Sequence, residues 1–528
     1  MANANPKRSS KSVESVRRAS KQRYVGKPGG VIQQRVQAVG PQRFGVIPVD
    51  CAKRRSKWML CDFYGKVIVE PTTVEHTAGS FNAMMGQIKA TCADHGIEDC
   101  IGAVEMTGVY HRPVQHALRK AGFDTRIVHP FASSHYRKPL HPDLKTDDHD
   151  LEAIFHAAIN GYGLAILPVD ETYKSLQALA RHRRNLVKQR ARLQVQIRVL
   201  MHQTMPGYAD LFDVNQLFRK SIAMPVALKF SSAAAISRAG VEGMSRYLKK
   251  QKVRFQTRTL EKIATWAPTA TEPAMLKILT SQWKQLELLW RTMTGQIGGT
   301  EQEMARFLAK TPYVLLLSVT GINVVSAAEL AGEAGPIEHY ASAHAINGRA
   351  GIYPSRYQSD QVDTKGSVAR TCNRKLRSAA MLVAENLIKC HPYYRGLSAL
   401  WAQQKVDPRD RRCRVANRAM RMVFQIVSGR QVWRGKGVDR EYLLYKLREF
   451  HRVHHTSIEQ IVRDLNEAFE WLPKSTYATE AVPLQELTRK KKRRVQSIGE
   501  LLIPLLIRLG VIASEDVESE TSEAQTSD

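Results

Sequence analysis

Two long helical repeats constrain this chain more than any other feature. Leu179, Leu186, Leu193 and Leu200 recur every seven residues, with Leu176, Arg183, Arg190 and Ile197 on the companion seam. A second segment keeps the same three-and-four spacing through Leu276, Leu279, Trp283, Leu286, Trp290, Met293, Ile297, Met304 and Phe307, broken only by Thr300. Apolar residues at that period line one helix face, which another helix must cover. The spacing predicts a coiled-coil region over 170–310, with Arg183 and Arg190 as basic defects in the first seam. An antiparallel hairpin within one chain and a dimerisation arm between chains both satisfy it. The aromatics at these positions are core residues.

The charge balance points to the partner. Lys and Arg number 79 against 49 Asp and Glu in 528 residues, a net charge of +30, while 43% hydrophobic residues exclude a wholly disordered chain. Such a surface displaces counterions from a polyanion, and nucleic acid is the leading candidate. No apolar run reaches the roughly 18 residues of a spanning helix. The best, from Leu501 to Ala513, contains Pro504 and Arg508. The opening MANANPKRSS has no apolar stretch behind its charges, so an intracellular location, cytoplasmic and nucleoid-associated, is expected. The seven cysteines form no C-x-x-C pair and read as reduced thiols. His451, His454 and His455 lack cysteine partners and read as part of a basic polar helix face.

Residues 1–43, rich in Lys and Arg among Ser, Gly and Gln, read as a disordered basic arm. From 44 to 165 the strand-like runs FGVIPVD, KWMLCDF and KVIVE form a meander. A helix from Ala78 to His95 follows, and CIGAVEMTG, HRPVQHALRKAG and TRIVHP give a β-α-β pattern, hence an α/β domain. Over 311–445 the chain is mainly helical. It opens on TPYVLLLSVTGINVVSAAELAGEAG, a helix-hairpin-helix candidate turning at Gly321, whose amides from Ile322 to Val324 could hold a phosphate. Over 446–528 a basic helical extension, with the cationic run Arg489 to Arg494, ends in an acidic tail.

Four carboxylates carry chemistry in the α/β region. Asp50 and Glu105 each end a strand run and would share one sheet edge if those strands are neighbours. Asp147 and Asp150, three apart in LKTDDHDLEAIFHAA, share a helix face that Asp148 does not. Phosphoryl transfer with two Mg²⁺ ions needs several carboxylates that can bridge them.

The strings VDCAK (49–53), EMTGVYHRP (105–113), HP (129–130) and KTDDHD (145–150) resemble the signature of the DEDD transposases, insertion-sequence recombinases with a RuvC-like, RNase H-fold N-terminal domain. The resemblance implies a RuvC-like catalytic domain over 44–165. It makes Asp50, Glu105, Asp147 and Asp150 the metal-binding set, with Lys145 and Thr146 starting the helix beside it. The family also carries a C-terminal serine transposase domain beyond a helical arm, and the same order occurs here. AGIYPSRYQSD (350–360) is similar to the family's A-G-x-x-P-x-x-x-x-S-G stretch, which makes Ser359 the nucleophile, with Asp360 replacing the usual glycine and Ser355 and Ser367 as fallbacks. The family's G-I-G is here Gly321, Ile322, Asn323. Downstream, Arg370, Arg374, Lys375 and Arg377 would face phosphates.

The resemblance implies a DNA transposase that cuts and rejoins strands through a covalent phosphoserine, assisted by Mg²⁺. DNA ends and target, a structured guide RNA and a homodimer or homotetramer are the implied partners. Two other readings remain: a RuvC-like structure-specific endonuclease using activated water, and a non-catalytic nucleic-acid-binding protein.

Overall fold

The computed structural model describes residues 31–472 apart from 141–143, 145, 166–168, 214–215, 220–221, 272–275, 360–361, 370–371 and 434–441. The basic run Arg489 to Arg494, the acidic tail, Arg370, Lys145 and Asp360 lie outside the described residues. The chain divides into two compact units, 1–168 and 169–528.

The first unit is a mixed six-stranded sheet. Strands β1 (Phe44–Cys51), β2 (Arg55–Asp62) and β3 (Val67–Glu75) form the expected antiparallel meander, followed by helix α2 (Ala78–Asp94). Strand β4 (Asp99–Glu105) then lies parallel to β1, helix α3 (His111–Lys120) crosses over, and β5 (Asp124–Val128) lies parallel to β4. Helices α4 (Pro130–Leu140) and α5 (Asp147–Ile159) precede the short edge strand β6 (Gly163–Ala165). The order β3-β2-β1-β4-β5-β6 is compatible with an RNase H-like domain. β1 is buried along nearly its whole length because both sheet faces are covered. Val46 faces one core with Leu151 and Ile154 of α5, and Ile47 and Val49 face another with Ile88 of α2 and Leu118 of α3.

One boundary differs from the sequence reading. Residues 31–39 form helix α1 rather than part of a disordered arm. Ile32 and Val36, one helical turn apart, are buried on the sheet, and Arg35 between them pairs with Asp99 and Asp124 at 2.5 Å. The apolar i, i+4 pair is short, and its value depends on two acids far along the chain.

The second unit begins with the arm. Helices α6 (Glu171–Thr204) and α11 (Leu276–Ala309) pack against one another within the chain, so the repeats pair as a hairpin. Leu176 and Ile197 are buried on the first seam and Trp283, Ile297 and Met304 on the second. The defect at Arg183 is answered by Glu301 of α11 at 2.6 Å and Glu329 at 3.5 Å. At the far end, helices α7 (Gln216–Arg219), α8 (Ala223–Phe230), α9 (Ala233–Lys250) and α10 (Thr257–Trp266) close a small core around Tyr208 and Trp283.

At the near end the arm joins a helical core built from α12 (Val324–Ala334), α13 (Ala343–Ala350), α14 (Arg374–Cys390), α15 (Pro392–Gln403), α16 (Pro408–Ser428), α17 (Tyr442–Val453) and α18 (Ile458–Phe469). A two-stranded hairpin, β7 (Pro354–Ser359) and β8 (Val362–Val368), is inserted before α14. Gly332 lets α12 approach α6 closely: a Cβ there would sit 2.6 Å from the Gln177 amide nitrogen. Helices α17 and α18 belong to this core rather than to a basic extension. His451, expected on a polar face, is fully buried with Asp464 at 3.1 Å. No described helix is long and apolar enough to cross a membrane, and all seven cysteines are free thiols.

Candidate active site

The parallel pairing of β1 with β4, in register from Phe44 with Asp99 to Val49 with Val104, brings Asp50 and Glu105 to adjacent strand ends. Helix α5 starts at the same edge. Thr146 caps it, its hydroxyl accepting from the His149 amide at 3.3 Å. That cap sets Asp147, exposed, and Asp150, 8% exposed, in the first turn, where carboxylates also favour the helix dipole. Burial, then the charges of Glu105, Asp150 and Asp147, push the Asp50 carboxyl up to about 6. The four acids therefore repel one another across one site.

Several groups hold these acids, and sequence reasoning missed them. Ser133 of α4 donates its hydroxyl to Glu105, and Thr107 donates to the same carboxylate at 3.2 Å. Arg137 of α4 pairs with Asp150. Lys57, opposite Asp50 on β2, pairs with Asp148 at 2.6 Å. Asp148, set aside on helical phase, thus holds the lysine that stands beside Asp50. The alternation of β2 put Lys57 on the site face and could have flagged it; Ser133 and Arg137 left no such signal.

Among the described residues no three potential ligand side chains are drawn round one point as a bound ion needs. Asp150 is turned to Arg137 and Glu105 to Ser133. The donor chemistry nonetheless fits a hard divalent cation: all four groups are carboxylates, and their mutual repulsion is what such a cation relieves.

In the second unit, Ser359 closes the last pair of the β7–β8 hairpin, opposite Val362, with its side chain exposed. Of the fallbacks, Ser367 lies along β8 and is also exposed. Ser355 lies on β7, its side chain outside the described set.

Two nucleic-acid expectations change. The segment before Gly321 is a 3-10 helix (Pro312–Ser318), and helix α12 after it is buried along almost its whole length. The Ile322 amide donates to Val319 O and the Asn323 amide to Ser326 Oγ, so neither is open to a phosphate. Gly321 itself, at φ 98°, packs on the Asn386 carbonyl 3.1 Å from where a Cβ would stand. Lys446, whose amine burial pushes down to about 7, takes up two carbonyls of this turn, donating to Val319 O at 2.7 Å and Ile322 O at 3.1 Å. Arg377, expected on a phosphate, instead donates to the Ala350 and Ala369 carbonyls, which leaves its guanidinium committed to the fold. Arg374 and Lys375 are exposed in the first turn of α14.

Comparison with known families now bears on both units. A transposase family model for the DEDD domain of the IS110 group matches residues 47–206, and the model of the transposase IS116/IS110/IS902 family matches residues 313–398. The two matches support an IS110-family DEDD-type transposase. The chain is a DNA transposase, and domains of its DEDD type act with divalent metal ions. The first match takes in the acid edge and helix α6, and the second runs from the 3-10 helix through the Ser359 hairpin into α15. No curated protein matches the chain.

Proposed function

We propose that this IS110-family transposase cuts and rejoins DNA through a covalent phosphoserine at Ser359, with Mg²⁺ held by Asp50, Glu105, Asp147 and Asp150. The observation that carries the serine assignment is the exposed position of Ser359 at the hairpin's closing pair, within the stretch matched to the transposase model.

In this reading the Ser359 hydroxyl attacks a DNA phosphorus, the bond to one deoxyribose oxygen breaks, and the serine proton ends on that leaving oxygen. The phosphoserine keeps the phosphodiester energy, so a second DNA hydroxyl can displace Ser359 and restore a strand without external fuel. Mg²⁺, when bound, supplies Lewis-acid stabilisation of the phosphate charge. Ser133 and Thr107 orient Glu105, Lys57 tempers the charge beside Asp50, and Arg137 competes for Asp150. Two ions, a structured guide RNA and a homodimer or homotetramer complete the reading; the net charge of +30 suits two nucleic-acid partners.

One observation favours a second reading. Among the described residues no base is hydrogen-bonded to the Ser359 hydroxyl, whereas the acid edge is a self-contained cluster that could activate water. That alternative is a RuvC-like endonuclease leaving free phosphate ends. A denaturing gel with labelled element-junction DNA, flank-derived RNA and Mg²⁺ separates them. A protease-sensitive shifted band in wild type that Ser359→Ala abolishes supports the serine reading. Cleavage without adduct, unchanged in Ser359→Ala and lost in Asp147→Ala, leaves the endonuclease.

A further inference from the structure

Uncommitted positive charge gathers around one cavity, on the stretch RRCRVANRAMRMVFQIV (411–427) that already reads as a basic helix in the sequence. A cavity of about 750 Å³ opens between the base of the β7–β8 hairpin and helix α16, within the roughly 300–1,000 Å³ range of small-ligand clefts. Arg409, Arg414, Arg418 and Arg421 line it, against a single carboxylate, Asp410. Arg414, Arg418 and Arg421 follow the i, i+4, i+7 rule and form one stripe, spanning about 10 Å of helix axis. Among the described residues Arg409, Arg418 and Arg421 have no ion-pair partner, and Arg414 reaches Asp410 only at 3.8 Å.

The stripe is held ready rather than loose. Arg414 and Arg418 stack over the Trp401 ring, 5.6 and 5.1 Å from its centroid, and that ring is only 8% exposed. Stacking fixes the guanidinium planes while leaving their N–H edges free. The opposite wall is equally fixed: Asn417 donates to Ile352 O at 3.3 Å and Ala369 N to Tyr353 O at 3.1 Å. Tyr353, 45% exposed, gives that wall an aromatic surface, and Gly366 leaves its backbone bare.

Unpaired arginines beside one exposed aromatic, in a concave site, are what a phosphate and an unstacked base require together. A duplex presents its bases edge-on and cannot put one into such a recess. We propose that this cavity holds one nucleotide of a single nucleic-acid strand, its phosphates on Arg414, Arg418 and Arg421 and its base on Tyr353. Strand β7 runs from Pro354 beside this cavity to Ser359, about 17 Å at ~3.4 Å per residue. A strand anchored at the cavity would reach the serine within about five nucleotides at ~3.4 Å each. The site thus positions the strand for the reaction proposed above and rests on that reading for its purpose, though not for its binding.

The test uses the full chain and short labelled oligothymidylate, followed by fluorescence anisotropy across a salt series. Arg418→Gln with Arg421→Gln should weaken binding about 10-fold or more and flatten the salt dependence by about 1.4 log units per log unit, two contacts at ~0.7 each. Lys249→Gln with Lys250→Gln, the same charge change on exposed α9, should stay within about twofold. Because Arg418 packs on Trp401, Arg421→Gln alone is the second variant, and melting curves check both. Tyr353→Ala should lower affinity and Tyr353→Phe restore it. With 5-iodouracil in the strand, irradiation should attach it to the peptide containing Tyr353.

Arginine variants that bind like the lysine control, or a crosslink on any other peptide, overturn the site. Tighter binding to duplex than to either single strand overturns it as well. Preference between DNA and RNA strands of one sequence identifies which nucleic acid the site serves. Ser359→Ala should bind as wild type; if wild type forms no serine adduct while the arginine effect persists, the serine reading falls and the nucleotide site stands.

Discussion

The two units treat charge in opposite ways. At the acid edge two carboxylates have neighbours that answer them, Ser133 and Thr107 on Glu105 and Arg137 on Asp150, while Asp50 is pushed toward its protonated form by burial and the charge of Glu105. At the hairpin the serine is exposed, and among the described residues Arg418 and Arg421 of the α16 stripe have no ion-pair partner. A cluster of like charges must be compensated in the folded state before a cation arrives. Exposed arginines remain hydrated until a polyanion displaces their counterions, so they need no internal partner. The acid edge is built to be self-consistent, and the hairpin face is built to wait.

The largest effect that could break this contrast is catalytic. Asp50→Ala should lower DNA cleavage on the order of 10³-fold, the scale of losing several kcal/mol of charge stabilisation, with melting unchanged or raised. A loss of folding instead would make the acid edge structural. Next comes the arm's attachment. Gly332→Ala forces a Cβ against the α6 backbone and should cost about 3 kcal/mol, read from denaturant midpoints. A neutral result would show that α12 and α6 part easily.

Smaller effects sharpen the acid edge itself. Arg137→Gln removes the cation on Asp150 and should tighten Mn²⁺ binding severalfold, measured by calorimetry on the full chain; weaker binding would make Arg137 a helper rather than a competitor. The Asp50 carboxyl, raised to about 6, favours its protonated form in the folded state. Its contribution to stability is therefore present below its ordinary range and lost as pH rises through about 6. Metal-free melts should show this loss, and Asp50→Asn should remove it. Metal affinity should run the other way, rising through about pH 6 as the competing proton leaves. The smallest effect is at the helix start: Thr146→Ala should cost about 1 kcal/mol through the lost cap.

Much of the acid edge was legible in the sequence. Each run placed an acid at its strand end, so Asp50 and Glu105 would converge if the strands were neighbours, which the β1–β4 pairing supplies, and a three-residue step put Asp147 and Asp150 in one turn. Their partners were not legible, because Arg137 and Ser133 lie on a helix whose position depends on how it packs. Arg377 shows the reverse case. Its sequence context reads as a phosphate contact, and only the fold shows its guanidinium absorbed by two carbonyls. The arginine stripe of α16 was visible as a basic helix, but nothing in it announced a cavity.

The sequence by itself determined the strand meander, the β-α-β pattern that follows it and the two matched repeats, since strand alternation and helical periodicity are local rules. Tertiary structure decided that the repeats pair within the chain, where Glu301 meets Arg183. It decided that residues 31–39 join the sheet through Arg35, and which cations are committed and which stay free. Those outcomes depend on groups far apart in the chain, and the energy of a charge is fixed by what surrounds it in space.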